Sequence, residues 1–394
     1  MDWEEVQLKD IAFYRSDKVK FTEISFESYI STENMIADKG GLVSPSSIPT
    51  SGSSSLYLKS DVLISNIRPY FKKIWFANKT GSCSNDILVF VSKVEKVCNE
   101  FLYYKLSTDE FFDYVMAGSN GVKMPRGNKK SIMDYSFLLP PLKTQKKIAS
   151  ILSNYDKLIE NNNKRIKLLE SMAEEIYKEW FVRLRFPEFE KVEIVDGVPE
   201  GWGRKKIEDI CSVGRGSSPR PISNTKYFIN GNIPWLKIAD ATASFIYIYK
   251  TKEYVNDYGA SFSRKLPKDS LIIAVSGTLG FPMFLATECC IHDGWMYFVD
   301  LENDIKIYFY YSLVFLKDYF SNQSYGAAIQ NINTEIVKKI SILIPSKIIL
   351  DEFNKIVKPN FLEIQILQQK NKNLKETRDL LLPKLIHGTL NVED

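Results

Sequence analysis

The sequence predicts an α+β protein in which one mixed α/β domain occurs twice in tandem, each copy followed by a long helix. Three observations predict it: an apolar seam in the middle of the chain, segments that recur in the same order after about 200 residues, and a second seam near the C-terminal end. The two helices are expected to pair with each other as an antiparallel coiled coil. The expected bounds are 1–142 for the first domain, 143–185 for the first helix, 186–346 for the second domain, and 347–394 for the second helix and its tail.

The first domain is predicted from short β-type runs that alternate with polar turns. These runs are Val62–Ile67, Ile74–Ala77 and Ile87–Val91. One helix is expected over Glu100–Met116, where apolar residues recur at helical spacing. Leu139–Leu142, with its two central prolines, then breaks the chain before the long helix.

The first long helix is expected to run from Thr144, as its N-cap, to Arg183. Apolar residues recur there in alternating steps of four and three, which is typical of a coiled-coil seam. Since neither Pro nor Gly interrupts the stretch, the helix should run for about 40 residues, or roughly 60 Å. The seam residues are Ile148, Leu152, Tyr155, Ile159, Ile166, Leu169, Ala173, Ile176 and Trp180, with Asn162 in the remaining position.

The second half of the chain repeats the first in order. Trp202–Ile210 is similar to Trp3–Ile11, and Leu266–Gly280 is similar to Leu58–Lys73. Because the order and the offset are both kept, a tandem duplication explains the pattern better than chance does. The remaining pairs are Ile305–Tyr319 with Glu100–Met116, Gly326–Asn333 with Gly121–Asn128, and Ile340–Ser346 with Tyr135–Pro141.

The duplication predicts a second seam, and one is present between Phe353 and Leu385. Pro359 is expected to divide a short lead-in helix from the long one, because proline is tolerated only in the first turn of a helix. A duplicated unit that closes on itself about a pseudo-two-fold axis favours antiparallel pairing. The seam residues are Phe353, Val357, Ile364, Leu367, Leu374, Leu381 and Leu385, with Asn360, Asn371 and Arg378 in the remaining positions.

The seams also predict a register. Suppose that Ile148 faces Leu385 and Trp180 faces Phe353. The two residue numbers of each pair then add up to the same value, and the numbers of Asn162 and Asn371 add up to that value as well, so these two residues should face each other. Paired buried amides satisfy one another and disfavour other registers. The alternative is that polar seam positions are ordinary imperfections of a coiled coil.

Composition and motifs argue against an enzyme. The chain has 52 basic and 48 acidic residues, and a formal charge of +4 is a weak hint of a polyanionic partner. Five cysteines without CxxC spacing and two distant histidines, His292 and His387, give no disulfide framework and no metal site. We find no P-loop, dinucleotide fingerprint, nucleophile elbow, HExxH or amino-methyltransferase signature. The N-terminus has no signal-peptide pattern and no 18-residue apolar run occurs, so a cytoplasmic protein is expected.

The chain resembles the specificity subunit of type I restriction-modification systems. The resemblance rests on Leu138–Glu160, Val198–Ile210, Asn232–Asp240 and Leu380–Leu390, and it extends over essentially the whole chain. The second copy departs from the family pattern at Ile344–Phe353, which lacks the Pro-Pro and Gln of the first copy.

This resemblance implies that each globular domain is a target-recognition domain that reads one half of a bipartite, asymmetric site on double-stranded DNA. The helices would space the two halves and hold two methyltransferase (M) subunits, and restriction (R) subunits would join them. S-adenosylmethionine, ATP and Mg²⁺ would be bound by those partners, and no cofactor by this chain. Rival interpretations are a coiled-coil adaptor that binds only protein, and a nuclease or methyltransferase with unrecognised motifs.

Candidate contacts follow from residue type. Arg, Lys, Asn and Gln can read bases in a groove, whereas Lys and Arg on phosphates fix position. The alternative is that these are ordinary solvated loop residues. Tyr177, Trp180 and Phe181 are candidates for partner docking, or else members of a domain core. The DNA-contact candidates are Arg68, Tyr70, Lys72, Lys73, Lys123, Arg126, Asn128, Lys129 and Lys130 in the first domain, and Arg215, Ser217, Arg220, Lys237, Gln330, Asn331 and Asn333 in the second.

Overall fold

The structure, a computed structural model, divides into two compact units. Unit 1 comprises Met1–Ile159 and Asn373–Asp394, and unit 2 comprises Glu160–Lys372. Each unit therefore contains one globular domain and a segment of each long helix. The structure describes residues 3–121, 123–241, 246–276, 280–317 and 332–392.

Unit 1 contains two four-stranded sheets and one two-stranded pair. The first sheet has the antiparallel order β2-β9-β6-β7, the second has the order β3-β5-β8-β4 with β4 parallel to β8, and β1 pairs with β10. Its strands are β1 (Glu4–Gln7), β2 (Ala12–Tyr14), β3 (Lys18–Lys20), β4 (Tyr29–Ile30), β5 (Ser53–Tyr57), β6 (Val62–Ser65), β7 (Ile74–Phe76), β8 (Gly81–Cys83), β9 (Ile87–Ser92) and β10 (Ser136–Leu139). Its helices are α1 (Leu8–Ile11), α2 (Asn99–Leu106), α3 (Asp109–Ala117), α4 (Lys129–Met133) and the first part of α5 (Leu142–Tyr177).

The single helix expected over Glu100–Met116 is two helices, α2 and α3. The side chain of Thr108 accepts a hydrogen bond from the N–H of Phe111 at 3.3 Å, so Thr108 caps α3 and starts a new helix. Phe101, Phe111 and Phe112 are fully buried in the core of unit 1. The spacing of the apolar residues is compatible with one helix or with two, and the Thr108 cap shows that there are two.

Unit 2 repeats the strand pairings of unit 1. Its five-stranded sheet has the order β14-β22-β19-β20-β16, the first four strands of which correspond to β2-β9-β6-β7. The pair β13-β23 likewise corresponds to β1-β10, and a second sheet has the order β17-β15-β21-β18. Its strands are β11 (Ile194–Val195), β12 (Val198–Pro199), β13 (Gly203–Lys206), β14 (Ser212–Arg215), β15 (Ile233–Leu236), β16 (Tyr247–Ile248), β17 (Glu253–Val255), β18 (Arg264–Leu266), β19 (Leu271–Ala274), β20 (Pro282–Leu285), β21 (Cys289–Ile291), β22 (Trp295–Val299) and β23 (Ser341–Ile344). Its helices are α6 (Ile238–Ala241), α7 (Asp257–Ala260), α8 (Lys306–Phe315), α9 (Thr334–Lys339) and the first part of α10 (Lys347–Ile386).

The two long helices differ from their predicted bounds. α5 begins at Leu142, so the expected N-cap, Thr144, is a buried residue of its first turn, and the helix continues into a π-helical turn at Lys178–Val182. α10 runs without a break through Pro359, which was expected to divide it. Buried Val357 and Phe361 lie on either side of that proline, and their packing offsets the hydrogen bond that proline cannot donate.

Within unit 1, Ile148 and Leu152 of α5 share a core with Leu385 of α10. The carboxylate of Asp156 pairs with the guanidinium of Arg378 at 2.5 Å. Residue numbers rise along one helix as they fall along the other, so the contacting segments of unit 1 are antiparallel.

Within unit 2, the amide of Asn162 donates to the amide oxygen of Asn371 at 2.8 Å, and both residues are buried. The amide of Asn371 in turn donates to Asn163 at 2.8 Å. Trp180 lies 6.1 Å from Phe353 between ring centroids. The pairing expected from the constant sum of residue numbers is therefore present at both of these layers.

None of the described helices has an apolar stretch long enough to cross a membrane. Among the described residues, no group of three or more His, Cys, Asp or Glu side chains is placed to hold a metal ion.

Candidate nucleic-acid interface

In the first domain, two loops that are distant in sequence lie side by side. The loop between β6 and β7 (66–73) contacts the segment that precedes α4. Arg68 N–H donates to the carbonyl of Pro125 at 2.8 Å, and Ile67 forms an antiparallel bridge with Arg126. The two basic clusters predicted separately from the sequence are thus parts of one surface, which we call surface A (residues 66–73 and 123–130).

Surface A presents exposed cations. Arg68, Lys123, Lys129 and Lys130 are all exposed. Arg126 pairs with Asp86 at 3.1 Å, and its side chain remains half-exposed. An exposed ion pair of this kind is worth little, so Arg126 can exchange its carboxylate partner for a phosphate.

Three predicted contact residues on surface A have roles in the fold. The ammonium of Lys73 donates to the carbonyl of Thr32 at 2.6 Å, and burial lowers the pKa of Lys73. The side chain of Asn128 accepts from two backbone N–H groups of α4, at 3.0 and 3.2 Å, and so caps that helix. Lys72 pairs with Asp109 at 2.9 Å. Lys73 and Asn128 are therefore better explained as structural residues than as DNA contacts.

In the second domain, the candidates gather around Asp293 in the turn between β21 and β22. The guanidinium of Arg220 pairs with its carboxylate, and Ser218 Oγ donates to Asp293 Oδ1 at 3.3 Å. Arg215 Nε donates to the carbonyl of Asp293 at 2.9 Å. We call this cluster surface B (residues 215–220, 237 and 292–293). The sequence reasoning missed Asp293, although a His-Asp-Gly turn between two buried strands is a recognisable signal.

Lys237 of surface B lies near His292, with the Trp235 ring close to both. Its ammonium pairs with Glu253 and lies 4.9 Å from the centroid of the Trp235 ring, which is 5.6 Å from the imidazole of His292. Burial lowers the pKa of His292, and the nearby cations lower it further while Asp293 opposes them. The imidazole Nδ1 lies 2.8 Å from Asp293 Oδ1 and 3.0 Å from the backbone nitrogen of Gly294.

The remaining second-domain candidates are of three kinds. Ser217 is exposed, and its carbonyl accepts from Ser263 Oγ at 2.7 Å. Asn333 caps α9 by accepting from Glu335 N–H at 2.9 Å, as Asn128 caps α4. Gln330 and Asn331 lie outside the described residues.

The aromatic residues considered for partner docking belong to the core of unit 2. Tyr177 is buried, with its hydroxyl 3.0 Å from Ser312 Oγ. Phe181 is buried against Tyr308, at 4.8 Å between ring centroids. Trp180 is half-buried. The structure favours the alternative that these aromatics join the second domain's core, and they leave little surface for a partner.

The strand pairings show that the fold is a tandem duplication, and comparisons with known proteins identify the class of protein. The family model described as "Type I restriction modification DNA specificity domain" matches residues 1–171 and again residues 199–376. The chain therefore belongs to this family of DNA-specificity proteins, which recognise DNA sequence and are not themselves catalytic.

Individual proteins that are similar in sequence to this chain are type I specificity subunits as well. The MjaIX specificity subunit of Methanocaldococcus jannaschii is 29% identical over 315 residues, covering 76% of this chain and 70% of the relative. The HindI specificity subunit of Haemophilus influenzae is 25% identical, covering 99% of this chain and 100% of the relative. The crystal structure of a type I S subunit from M. genitalium has the same fold, with a TM-score of 0.57 at 14% identity, covering 98% of this chain and 96% of that one.

Proposed function

We propose that this chain supplies the sequence recognition of a type I restriction-modification complex, with each globular domain reading one half of a bipartite, asymmetric DNA site. The observation that carries the proposal is the double family match, in which each match includes one globular domain and part of a long helix. A protein with two copies of one recognition domain has two reading surfaces, and these need not read the same sequence.

The loops of the two domains support this reading. Arg126 and Gly127 contact the β6–β7 loop in the first domain, and Ile332 N–H donates to Val275 beside the β19–β20 loop in the second, at 3.2 Å. The described ends of these segments are thus in contact in both domains. The polar surfaces of the domains also differ: surface A carries exposed cations, of which Arg126 pairs with Asp86, whereas on surface B Arg215 and Arg220 both contact Asp293. Different donor patterns select different base edges.

The paired long helices would set the distance between the half-sites. At 1.5 Å per residue, α5 is about 54 Å long and α10 about 60 Å, which suits half-sites one to two turns of DNA apart. We propose that α5 and α10 form one antiparallel coiled coil and that the Asn162–Asn371 layer fixes its register. Shifted pairings would leave these amides facing apolar residues.

Docking of the methyltransferase subunits would use a different part of the helices from the one first expected. On α5 the exposed apolar residues Leu168 and Met172 lie on the same side as Arg165, which pairs with Glu363 of α10 at 2.7 Å. Leu362 and Ile366 on α10 are also exposed. We call these four apolar residues the helix stripe.

The other side of α10 is already covered by the second domain. The amide of Gln368 donates to the carbonyl of Tyr247 at 3.2 Å, and the hydroxyl of Tyr249 donates to the carbonyl of Gln365 at 2.8 Å. The helix stripe is therefore an exposed apolar surface on the described helices of unit 2, where Ile348 and Ile356 are exposed as well. Such a patch is typical of a protein interface.

The catalytic steps would belong to partner subunits. Two methyltransferase subunits would bind S-adenosylmethionine, and restriction subunits would bind ATP and Mg²⁺. The complex would act on chromosomal DNA in the cytoplasm.

Methylome sequencing tests the proposal. Cells that express this chain with its cognate methyltransferase should carry methylated adenines in a motif of two short specified segments separated by a fixed unspecified gap. A contiguous motif, or no new methylation from an active methyltransferase, would contradict it. S-adenosylmethionine binding or DNA cutting by the purified chain alone would favour the rival enzyme interpretation.

A further inference from the structure

The β6–β7 loop of surface A exposes two neighbouring aromatic rings. Tyr70 is 46% exposed and Phe71 37% exposed, with 4.6 Å between ring centroids. Large aromatic side chains usually supply core packing, so adjacent exposed rings beside a group of cations require an explanation.

The loop holds these rings in a fixed position. Arg68 and Lys72, which flank the short 3₁₀ turn Pro69–Phe71, both have left-handed backbones with φ of 49° and 50°. This conformation is unfavourable for residues other than glycine and persists only where neighbouring structure enforces it. Asp38 N–H donates to the carbonyl of Phe71 at 2.8 Å, and Arg68 N–H is held by Pro125. The exposure of the rings is therefore built into the loop.

The equivalent loop of the second domain exposes an aromatic ring as well. Phe281, which immediately precedes β20, is 52% exposed. Its carbonyl accepts from Ala274 N–H at 3.2 Å. The ammonium of Lys317 lies 5.0 Å from the Phe281 ring, as that of Lys73 lies 5.7 Å from Phe71. The two loops have different sequences, yet each presents an aromatic ring with a lysine beside it.

We propose that Tyr70 with Phe71, and separately Phe281, are aromatic wedges that stack on bases at a distorted step within each half-site. This inference rests on the proposed function. The surrounding cations favour a polyanion over an apolar protein surface, and every base offers a π face to a ring. Rings inserted at a base step unstack and bend the duplex, so the wedges add selection for deformable steps to the reading of base edges.

The test uses the complex of the full chain with its methyltransferase and a duplex that carries the motif found by methylome sequencing. 2-Aminopurine, which fluoresces more strongly when unstacked, replaces one base at a time, avoiding the adenines that the methyltransferase modifies. The native complex should raise the fluorescence at one step in each half-site. The double variant Tyr70→Ala/Phe71→Ala should abolish the response in one half-site only, and Phe281→Ala in the other only. Each should weaken binding roughly tenfold.

Phe13→Ala is the matched control. Phe13 is 46% exposed and lies on β2, at the opposite edge of the same sheet from β7, so its loss should leave both responses unchanged. Phe281→Trp should retain the response that Phe281→Ala loses, which separates stacking from a folding defect.

The outcomes distinguish this inference from the proposed function. Wedge variants that bind the motif with native affinity and native fluorescence would overturn the inference, and so would variants that lose the methyltransferase instead of the response. If the native complex does not bind the motif at all, the proposed function itself fails.

Discussion

Replacing Asn371 should destabilise unit 2 more than replacing its partner Asn162. Asn371 lies between two amides: its oxygen accepts from Asn162 at 2.8 Å and its nitrogen donates to Asn163 at 2.8 Å. Asn371→Ala therefore leaves two polar groups without this partner, the amide nitrogen of buried Asn162 and the amide oxygen of Asn163. Asn162→Ala leaves only the oxygen of Asn371, whose nitrogen keeps its bond to Asn163.

The expected magnitudes follow from this difference. A buried polar group left unsatisfied costs about 1–3 kcal/mol. We expect about 2–3 kcal/mol for Asn371→Ala and about 1 kcal/mol for Asn162→Ala. For a unit of this size each kcal/mol lowers the melting temperature by about 2–4 °C. The double variant Asn162→Leu/Asn371→Leu should recover most of the loss, because replacing both partners by apolar groups is nearly neutral.

Thermal unfolding followed by circular dichroism at 222 nm measures the effect, because the long helices dominate that signal. Equal losses for the two single variants would refute the reasoning, as would a double variant that is less stable than both. Either result would mean that the amide layer is not buried and paired as described.

Three further predictions concern the surfaces, and a fourth concerns the burial of Glu170. Arg126→Ala with Lys129→Ala should weaken DNA binding by the complex and reduce the slope of log affinity against log salt by about 1–2. An unchanged slope would exclude these residues from phosphate contact. Asp293→Asn should relax specificity in one half-site only, measured by methylome sequencing, because Arg220 loses the carboxylate with which it pairs; a loss in both halves would contradict it. Met172→Glu should abolish co-purification of the methyltransferase at unchanged melting temperature, and retained co-purification would place docking elsewhere. Burial raises the pKa of Glu170 from 4.5 to about 7, so the ionised carboxylate destabilises the fold above about pH 7. Glu170→Gln should therefore raise the melting temperature above pH 7 but not below pH 4.5. A gain in melting temperature that is independent of pH would contradict this cause.

The seams and the duplication could be predicted because both are patterns that repeat along the sequence. A four-three step over about 40 residues has few structural interpretations, and the constant sum of residue numbers then identifies the partner of Asn162. The pairing of Trp180 with Phe353, from which that sum was taken, is also present. The same reasoning could not place Pro359, because whether a proline interrupts a helix depends on the packing of its neighbours.

The surfaces were harder to predict because they depend on contacts between distant segments. Residue type selected Arg126 and Arg68 as candidate DNA contacts, and both are exposed, but only the loop packing brings them together. Residue type also selected Lys73, which the fold uses to satisfy a backbone carbonyl. Asp293 was missed because the sequence shows its His-Asp-Gly turn but not the arginines, distant along the chain, that contact it.

The most direct test of the central claim is an exchange of one domain. Residues 186–346 are replaced by the corresponding segment of another family member with a known motif, and the methylome is sequenced with the same methyltransferase. The account predicts that one half of the bipartite motif changes to that of the donor while the other half and the gap stay the same. A motif in which both halves change, or neither does, would contradict the claim that each domain reads its own half-site.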